Sequence, residues 1–532
     1  MHNTDVFFVQ LYGPMQPINA EPFSVEVLSG ALQNELPSIR SHIATLSYLD
    51  SKDKWDQLFR DIEKKHPLFV GISVPQSTYD LSVKLIDRLL AQNLPSRIIL
   101  GNSLPTYVPE VFLNLFPQVL IVRGWGEESL VALTQMLVDK KGDAITHIPN
   151  LAYTLDGELK FNPTKLPKKW YQPARVFLED FYPRIESSRG CAHNTCTFCT
   201  RPLGMESLNS SWLRRDIKET LEELALLQKM GVQRFTFADE DFVGNDVDGA
   251  QQIANELKRL ASFSFTLSVR ADSIHDPRKS LAENQKRYHL FKTIRDAGAD
   301  LIYVGAESFS DSQLRRYGKG LTAKDNLKAL SILQNMGMNY EIGFILFDQL
   351  TTVQEIKENL AVLDQTGIWA RVGHLLDFLR PQKASGYARL LISSELAGAF
   401  NIDSLSYTGK YAHTNAGTIA QFCSVWEADT ELIYRICRNL ERTTDSHAVY
   451  TRFMMEMRLL SFRLLRVIVD MVEKGSALFD AENSLEHYYY ERDGYVNMLV
   501  NHLSTQPALS NTEQNLLFHC KNYLTSKKRT WI

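Results

Sequence analysis

The sequence predicts an α/β protein in three parts, the last of which is helical, and three observations support this prediction. Two separate stretches of the chain alternate short apolar runs with amphipathic helical patterns, which is typical of parallel sheets covered by helices. Beyond about Pro381 this alternation stops and only helical patterns continue. The length of 532 residues is also sufficient for about three or four domains.

The first alternating stretch, residues 1–148, is predicted to form a Rossmann-like domain with a parallel sheet. Its candidate strands are Val6–Leu11, Ile43–Leu46, Phe69–Val74, Arg97–Leu100 and Val119–Val122. Ligands bind such sheets beyond the carboxyl ends of the strands. Here those ends carry small residues and glycines, which allow the backbone to approach a ligand closely. The segments are Gln10–Gly13, Ser73–Pro75, Gly101–Leu104 and Arg123–Glu127.

Residues 149–182 are predicted to be a linker that starts with a hairpin over Leu151–Phe161. A second series of strand–helix units follows in residues 183–382, and it predicts a partial (β/α)6 barrel. The active residues of such barrels cluster at the carboxyl ends of the strands. The candidate strands are Arg184–Ser187, Arg234–Ala238, Ser264–Val269, Leu301–Gly305, Tyr340–Leu346 and Arg371–Phe378.

Residues 383–532 are predicted to form an α-rich domain, with helices over Thr430–Arg442, Tyr450–Lys474 and Thr512–Ser526. The most apolar long stretch, Tyr450–Val472, contains six charged residues, so it is interpreted as a core helix and not as a membrane span. The start, Met1–Val9, lacks the pattern of a signal peptide.

Charge and cysteine usage narrow the function classes. A net charge of −4 gives no support for nucleic-acid binding through a broadly basic surface. Six cysteines in so long a chain are too few for a disulfide framework, which favours a reducing, cytoplasmic location. Cys423, Cys437 and Cys520 are scattered and are expected to be buried small apolar residues.

The remaining three cysteines, Cys191, Cys196 and Cys199, lie within nine residues directly after a predicted strand. Three interpretations compete. A structural zinc site needs four ligands, and only His193 could be the fourth. Cysteines buried in a core would be an unusual choice among Arg, Gly, His and Asn neighbours. A [4Fe–4S] cluster normally takes four cysteines, so three leave one iron open, which a cofactor-activating cluster requires. This last interpretation is preferred.

With these residues the chain resembles the radical S-adenosylmethionine superfamily, whose usual motif is Cys-x₃-Cys-x₂-Cys with an aromatic residue before the last cysteine. Phe198 occupies the aromatic position, whereas the first gap here has one additional residue. The resemblance implies that S-adenosylmethionine binds at the cluster and at the carboxyl ends of the barrel strands. The residues it assigns to this role are Phe198, Ala238, Asp239, Glu240, Ser268, Arg270, Glu307 and Ile345.

A Rossmann-like domain ahead of such a barrel resembles the cobalamin-binding subgroup of this superfamily. Asn102 stands where a second glycine is often found, and no Asp-x-His-x-x-Gly motif occurs, which implies a cobalamin without a histidine ligand from that motif. A domain that has lost the cofactor and only packs on the barrel is the alternative. Methylthiotransferases are excluded because residues 1–190 contain no cysteine. The implied cobalamin residues are Tyr12, Gly13, Ser73, Val74, Gly101, Asn102, Ser103, Leu104, Gly124, Trp125, Gly126 and Glu127.

The resemblance implies an enzyme that reductively cleaves S-adenosylmethionine to a 5′-deoxyadenosyl radical, which abstracts hydrogen from a small-molecule substrate. The preferred reaction is C-methylation of a small metabolite or natural-product intermediate, with cobalamin delivering the methyl group. Cyclisation, ring contraction or oxidation is the alternative, and a non-catalytic Fe–S or cobalamin sensor is a remote one. The implied partner is an electron donor of the flavodoxin or ferredoxin type; no nucleic acid or membrane partner is expected. The sequence assigns no residue to catalysis beyond cofactor binding.

Overall fold

The structure is a computed structural model that describes residues 4–14, 20–177, 182–200, 212–443, 448–475 and 478–526. Its N-terminal part contains seven strands and six α-helices. The strands are β1 (Thr4–Tyr12), β2 (Ile39–Ser47), β3 (Phe69–Ser73), β4 (Arg97–Gly101), β5 (Leu120–Val122), β6 (Leu151–Leu155) and β7 (Glu158–Phe161). The helices are α1 (Phe23–Glu35), α2 (Lys52–Lys65), α3 (Tyr79–Ala91), α4 (Ser103–Tyr107), α5 (Pro109–Leu115) and α6 (Glu127–Asp139).

The seven strands form one sheet in the order β2-β1-β3-β4-β5-β6-β7. The first five are parallel, and β3 is buried along its whole length because helices cover both faces of the sheet. The predicted hairpin forms as β6 and β7 and extends this sheet as an antiparallel edge. The strand order reverses between β1 and β3, which places the ligand crevice of such a sheet at their carboxyl ends.

The central part contains a second, five-stranded parallel sheet in the order β14-β13-β12-β11-β8, with a short antiparallel pair, β9 and β10, beside it. The strands are β8 (Arg184–Ile185), β9 (Ser188–Arg189), β10 (Leu213–Arg214), β11 (Arg234–Phe237), β12 (Ser264–Arg270), β13 (Ala299–Glu307) and β14 (Tyr340–Phe344). The helices are α7 (Ile217–Lys229), α8 (Val247–Leu260), α9 (Ala271–Ile274), α10 (Leu281–Asp296), α11 (Asp311–Arg316), α12 (Ala323–Asn335) and α13 (Val353–Thr366).

The sixth predicted barrel strand, Arg371–Phe378, is replaced by two isolated bridges at Val372 and Phe378. The Gly373 N–H donates to the carbonyl of Ile342 in β14, at 3.0 Å. The Gly373 carbonyl instead accepts a hydrogen bond from the Tyr434 hydroxyl of a C-terminal helix, at 2.9 Å. This segment therefore runs parallel to β14, as a sixth strand would, but it does not form a continuous ladder of hydrogen bonds with it.

The C-terminal part is mainly helical and shares its core with the barrel. Buried residues such as Trp426, Phe453 and Leu465 join the same apolar cluster as Phe344 and Ile356 of the barrel. Three of its helices, α14, α15 and α18, and its hairpin were not predicted from the sequence. The elements are α14 (Gly386–Ser393), β15 (Ala397–Asn401), β16 (Ser406–Gly409), α15 (Thr414–Ala428), α16 (Glu431–Thr443), α17 (Ala448–Glu473), α18 (Leu478–Ser504) and α19 (Asn511–Thr525).

The β15–β16 hairpin reaches the N-terminal domain. Leu405, in its turn, is buried in the core on one side of the first sheet, and the Asp403 carboxylate accepts a hydrogen bond from the Tyr79 N–H at 3.0 Å. None of the helices within the described ranges has the length and apolar character that crossing a bilayer requires.

Candidate functional site

The cysteine loop leaves β9 at the carboxyl edge of the second sheet, and its three thiols are partly exposed and unbridged. The loop accommodates the long first gap with Asn194 in the left-handed region, at φ 39°. Asparagine tolerates this conformation better than most residues. The Cys199 N–H donates to the Cys196 carbonyl at 3.2 Å, which closes the second gap as a tight turn.

His193 does not act as a fourth ligand in this arrangement. Its Nε2 lies 2.6 Å from the Gly318 carbonyl and 2.9 Å from the Thr195 hydroxyl. Within the described ranges, no three His, Cys, Asp or Glu side chains could hold a single metal ion. A [4Fe–4S] cluster places each cysteine on a different iron, so its thiolates need not converge as closely as those of a zinc site.

The segment Arg316–Gly320 packs against the cysteine loop and hydrogen-bonds to its backbone. The Thr197 N–H donates to the Tyr317 carbonyl at 2.9 Å, and the Tyr387 N–H of α14 donates to the Thr197 carbonyl at 2.7 Å. Gly318 has φ 65°, and a Cβ there would lie 2.8 Å from the Thr195 carbonyl oxygen. Only glycine permits this close approach of the two backbones.

A buried carboxylate, Asp348, fixes both anchoring tyrosines. It accepts hydrogen bonds from the hydroxyls of Tyr317 at 2.8 Å and Tyr387 at 2.7 Å, and it pairs with Arg316 at 2.7 Å. Burial alone would raise the pKa of Asp348, but Arg316 and the hydroxyl donors outweigh it, so the pKa lies below its ordinary value. Asp348 therefore remains an acceptor-only anion beneath the loop.

Phe198 and Ile345, both predicted to bind S-adenosylmethionine, belong to one small apolar cluster that also contains Tyr317 and Tyr387. The rings of Phe198 and Tyr317 meet edge to face, with centroids 5.5 Å apart. This packing brings the end of β14 next to the cysteine loop.

Arg270, at the end of β12, lies directly beside the loop, with Nη1 3.9 Å from the Cys196 sulfur. Two hydrogen bonds to Asp272 and one to the Lys319 carbonyl hold its guanidinium. Burial raises the pKa of the Cys196 thiol, although Lys319 and Arg270 act in the opposite direction. A cation fixed beside a thiolate suits an anionic cluster.

The acidic residues predicted after β11 have structural partners. Asp239 is buried and accepts hydrogen bonds from the N–H groups of Ser187 at 2.8 Å and Ser188 at 2.9 Å. Burial raises its pKa to about 7, although these hydrogen bonds lower it. Glu240 accepts a hydrogen bond from the Gly190 N–H at 3.0 Å. Both carboxylates therefore support the strand that leads into Cys191, and Ala238 sits at the same strand end.

Ser268, Tyr303 and Glu341 lie side by side on neighbouring strands, on the face that alternates with the core residues Val304 and Ile342. We call this the inner face of the barrel. Gly343 leaves room there for Tyr303, because a Cβ at this position would lie 2.5 Å from the Tyr303 hydroxyl.

Charged residues of the C-terminal part close this inner face. Glu341 forms ion pairs with Arg438 and, at 3.6 Å, with Arg458. His374 lies 2.9 Å from Glu427. Burial alone lowers the pKa of His374, but Glu427 and Asp377 raise it to about 10, so it is cationic at neutral pH.

Glu307 ends β13 at a bulge, with φ 67°, and pairs with Lys319 at 3.4 Å. Bulges and left-handed non-glycine residues of this kind are frequent at functional sites.

The N-terminal domain contains a cavity of about 240 Å³ at the carboxyl ends of β3, β4 and β5. Eight of the predicted cobalamin residues line it, namely Ser73, Gly101, Asn102, Ser103, Gly124, Trp125, Gly126 and Glu127. The other four, Tyr12, Gly13, Val74 and Leu104, are buried outside the lining. The Tyr12 hydroxyl, for example, donates to the Ala20 carbonyl.

Two barrel residues that the sequence did not single out, Glu186 and Arg189, also line this cavity. Arg189 Nε and Nη1 and the Glu127 Oε2 are buried and have no hydrogen-bond partner among the residues that the structure describes. Such groups are costly unless a ligand or water satisfies them. A mainly apolar cavity with unsatisfied donors and an acceptor at its edge fits a corrinoid, whose apolar ring system carries carboxamide groups.

Asn102 provides a test of this cavity wall. Its φ of 78° lies in the region that favours glycine, and its side chain bonds to Ser73 and to the Ser103 N–H. We expect Asn102→Ala to lower the free energy of unfolding by about 2 kcal/mol. The alanine keeps the unfavourable positive φ but loses the side-chain hydrogen bonds that cap the N-terminus of α4. Asn102→Gly should recover about 1 kcal/mol of this loss. Denaturant unfolding of both variants measures the difference in their free energies of unfolding. Equal values for the alanine and glycine variants would show that the backbone of residue 102 is not strained.

Arg189, Lys319 and Asp348 were missed by sequence reasoning. Arg189 follows Glu186-Ser187-Ser188 and precedes Gly190-Cys191, and Lys319 lies between two glycines. The sequence around Arg189 and Lys319 could therefore have indicated that these two residues belong to the site. Asp348 had none, since the side chains that it binds, Arg316, Tyr317 and Tyr387, lie 31 or more residues away in the sequence.

Comparison with known families agrees with both halves of this geometry. Residues 185–361 match the Radical SAM superfamily, and residues 20–134 match the B12 binding domain. The chain therefore contains a B12-binding domain followed by a radical SAM domain. Its cofactors are accordingly a [4Fe–4S] cluster, S-adenosylmethionine and cobalamin.

Among relatives, a 4′-phospho-dehydrooxetanocin synthase of Priestia megaterium is 32% identical over 58% of this chain and 44% of its own length. An uncharacterized methyltransferase of Pyrococcus horikoshii is 26% identical over 56% of this chain and 64% of its own length. The chain thus spans less than two thirds of either relative.

Two solved structures share the fold. The cobalamin-dependent radical enzyme OxsB, with aqua-cobalamin and S-adenosylmethionine bound, superposes with a TM-score of 0.78 at 21% identity, over 98% of this chain and 84% of OxsB. The methyltransferase TsrM of Kitasatospora setae, with cobalamin and a [4Fe–4S] cluster, gives a TM-score of 0.55 at 16% identity, over 69% of this chain and 70% of TsrM.

Proposed function

We propose that this enzyme C-methylates a small, polar, anionic metabolite. The observation that carries the proposal is that Glu186 and Arg189 line the cobalamin cavity, while the cysteine loop begins two residues after Arg189. The two cofactor sites therefore share one wall. When bound, the cluster and S-adenosylmethionine supply a hydrogen-abstracting radical, and cobalamin supplies a carrier for a methyl group.

In this proposal Cys191, Cys196 and Cys199 hold the cluster, and Arg270 stabilises its negative charge from beside Cys196. Phe198 and Ile345 form an apolar wall for S-adenosylmethionine next to the loop. Electrons would come from a reduced flavodoxin or ferredoxin. The chain itself contributes orientation and exclusion of water.

The inner face supports an anionic substrate. His374 is cationic at neutral pH, and the Nε of Arg438 is buried with no hydrogen-bond partner in the described ranges. The synthase relative is named for a phosphorylated product, and a phosphate would accept a charge-assisted hydrogen bond from the Nε of Arg438.

A second outcome of the same radical is favoured by one observation. The 32% identical relative is named as a dehydro-product synthase and not as a methyltransferase. Oxidation with rearrangement, without methyl transfer, is therefore the second candidate, whereas the Pyrococcus relative and TsrM favour methylation.

The experiment uses anaerobically reconstituted protein with reductant, hydroxocobalamin and S-adenosylmethionine that carries a deuterated methyl group. We expect release of 5′-deoxyadenosine and, with a panel of phosphorylated small metabolites, transfer of the labelled methyl group to one product. An unlabelled product that has lost two hydrogens would instead establish the second outcome. Absence of 5′-deoxyadenosine from protein with its full iron content would contradict both.

A further inference from the structure

Arg189 lies between the two cofactor sites and belongs to both. It is in β9, two residues before Cys191, and its side chain lines the cobalamin cavity although only 4% of it is exposed. A fully ionised guanidinium buried to this degree requires partners, because burying an unpaired charge costs several kcal/mol.

The partners of Arg189 come from all three segments that meet here. Its Nη2 donates to Glu127 of α6 at 2.6 Å and to Glu186 of the barrel at 2.7 Å. The guanidinium stacks over Trp170 of the connecting segment, 4.4 Å from the ring centroid, and lies 5.8 Å from the ring of Trp125. The side chain thus ties the N-terminal domain, the connecting segment and the strand before the cysteine loop together.

The bonding of this cluster is incomplete on the cavity side. Within the described part of the chain, Arg189 Nε and Nη1 and Glu127 Oε2 are buried and have no hydrogen-bond partner. Two N–H donors and one carboxylate oxygen match a carboxamide, which has one carbonyl acceptor and two N–H donors. The cavity therefore offers both halves of the hydrogen bonding that a corrinoid carboxamide needs.

We propose that Arg189 is a positioning residue shared by the two cofactor sites: it binds a corrinoid carboxamide and, through the same guanidinium, sets the strand that leads into Cys191. Binding of cobalamin or of the cluster then holds the Arg189 side chain in one position. The other cofactor site requires Arg189 in that same position. Cobalamin affinity and cluster binding are consequently coupled, and the coupling is reciprocal because both act on one equilibrium. This inference rests on cobalamin binding in the cavity and not on the outcome of the reaction.

The test measures hydroxocobalamin affinity by visible absorption and by quenching of tryptophan fluorescence, since Trp125 lines the cavity. Each protein is titrated with its cluster reconstituted and again with the cluster removed. We expect wild-type affinity to be at least about fivefold tighter with the cluster present. Arg189→Met should weaken affinity about tenfold or more and abolish its dependence on the cluster.

Arg189→Lys keeps the charge and gives a second readout if the methionine variant folds poorly. Lysine lacks the planar fork that contacts two carboxylates and a ligand at once, so affinity should again fall and cluster dependence should shrink. The reciprocal measurement is iron retention during dialysis, which cobalamin should slow in the wild type and leave unchanged in both variants.

Arg175 offers a matched control. It is equally buried and pairs with Glu21 of the N-terminal domain and Glu223 of the barrel, but it does not line the cavity. Arg175→Lys should leave both the hydroxocobalamin affinity and its cluster dependence unchanged. The proposal is overturned if Arg175→Lys weakens binding as much as Arg189→Lys, if Arg189→Met binds like the wild type, or if wild-type affinity is independent of the cluster.

Discussion

Replacing Cys196 by alanine is expected to abolish the cluster and reduce 5′-deoxyadenosine release to background. A cluster held by three local thiolates has no spare ligand, and His193 is bonded to Gly318 and Thr195. The variant also leaves the Arg270 guanidinium beside an alanine in place of an anionic centre. Iron and sulfide content per chain, together with chromatography of the reaction with S-adenosylmethionine, measure both effects.

Cys423→Ala is the matched control, because Cys423 is fully buried in α15 within the core shared by the barrel and the C-terminal helices. It should lower stability by about 1 kcal/mol and leave iron content and 5′-deoxyadenosine release unchanged. Wild-type release of 5′-deoxyadenosine by Cys196→Ala would contradict the assignment of the cluster to this loop.

Features that depend on short-range pattern were predictable from the sequence. All five parallel strands of the first sheet and the first five barrel strands follow apolar runs, and their bounds differ by a few residues. The cysteine spacing was visible because it lies within nine residues. These patterns predicted an α/β protein with a B12-binding domain and a radical SAM domain, and the family matches confirm both domains.

Features that depend on long-range contacts were not predictable. The sixth predicted barrel strand forms only two isolated bridges, and the Gly373 carbonyl accepts its hydrogen bond from Tyr434, 61 residues later in the chain. Strand-end residues such as Val74 and Leu104 looked like cavity residues, but these two side chains are fully buried in the core. Arg189 and Glu127 meet across 62 residues, so the wall shared by the two cofactor sites had no signature in either segment alone.

The second large effect is expected from Asp348→Asn. The variant keeps the side-chain shape but removes the charge that pairs with Arg316 and accepts hydrogen bonds from Tyr317 and Tyr387. Arg316 keeps its second ion pair, with Glu355 at 2.8 Å, but the two tyrosine hydroxyls lose an anionic acceptor, so we expect a loss of about 2 kcal/mol in the free energy of unfolding. Because both tyrosines also bond to Thr197 through their backbones, reconstituted iron content should fall as well.

The stability difference between the wild type and Asp348→Asn should depend on pH. The pKa of Asp348 is depressed in the folded protein, so its contribution to stability is complete above the unfolded pKa of about 4 and is lost as pH falls through the folded value. The gap in unfolding midpoint between wild type and Asp348→Asn should therefore be widest near neutral pH and narrow below about pH 4. Asp364→Asn, at an exposed pair with Arg466, should shift stability by less than about 0.5 kcal/mol at either pH. A gap that stays constant across this range, or an iron content equal to that of the wild type, would mean that the Asp348 anion does not hold the cysteine loop.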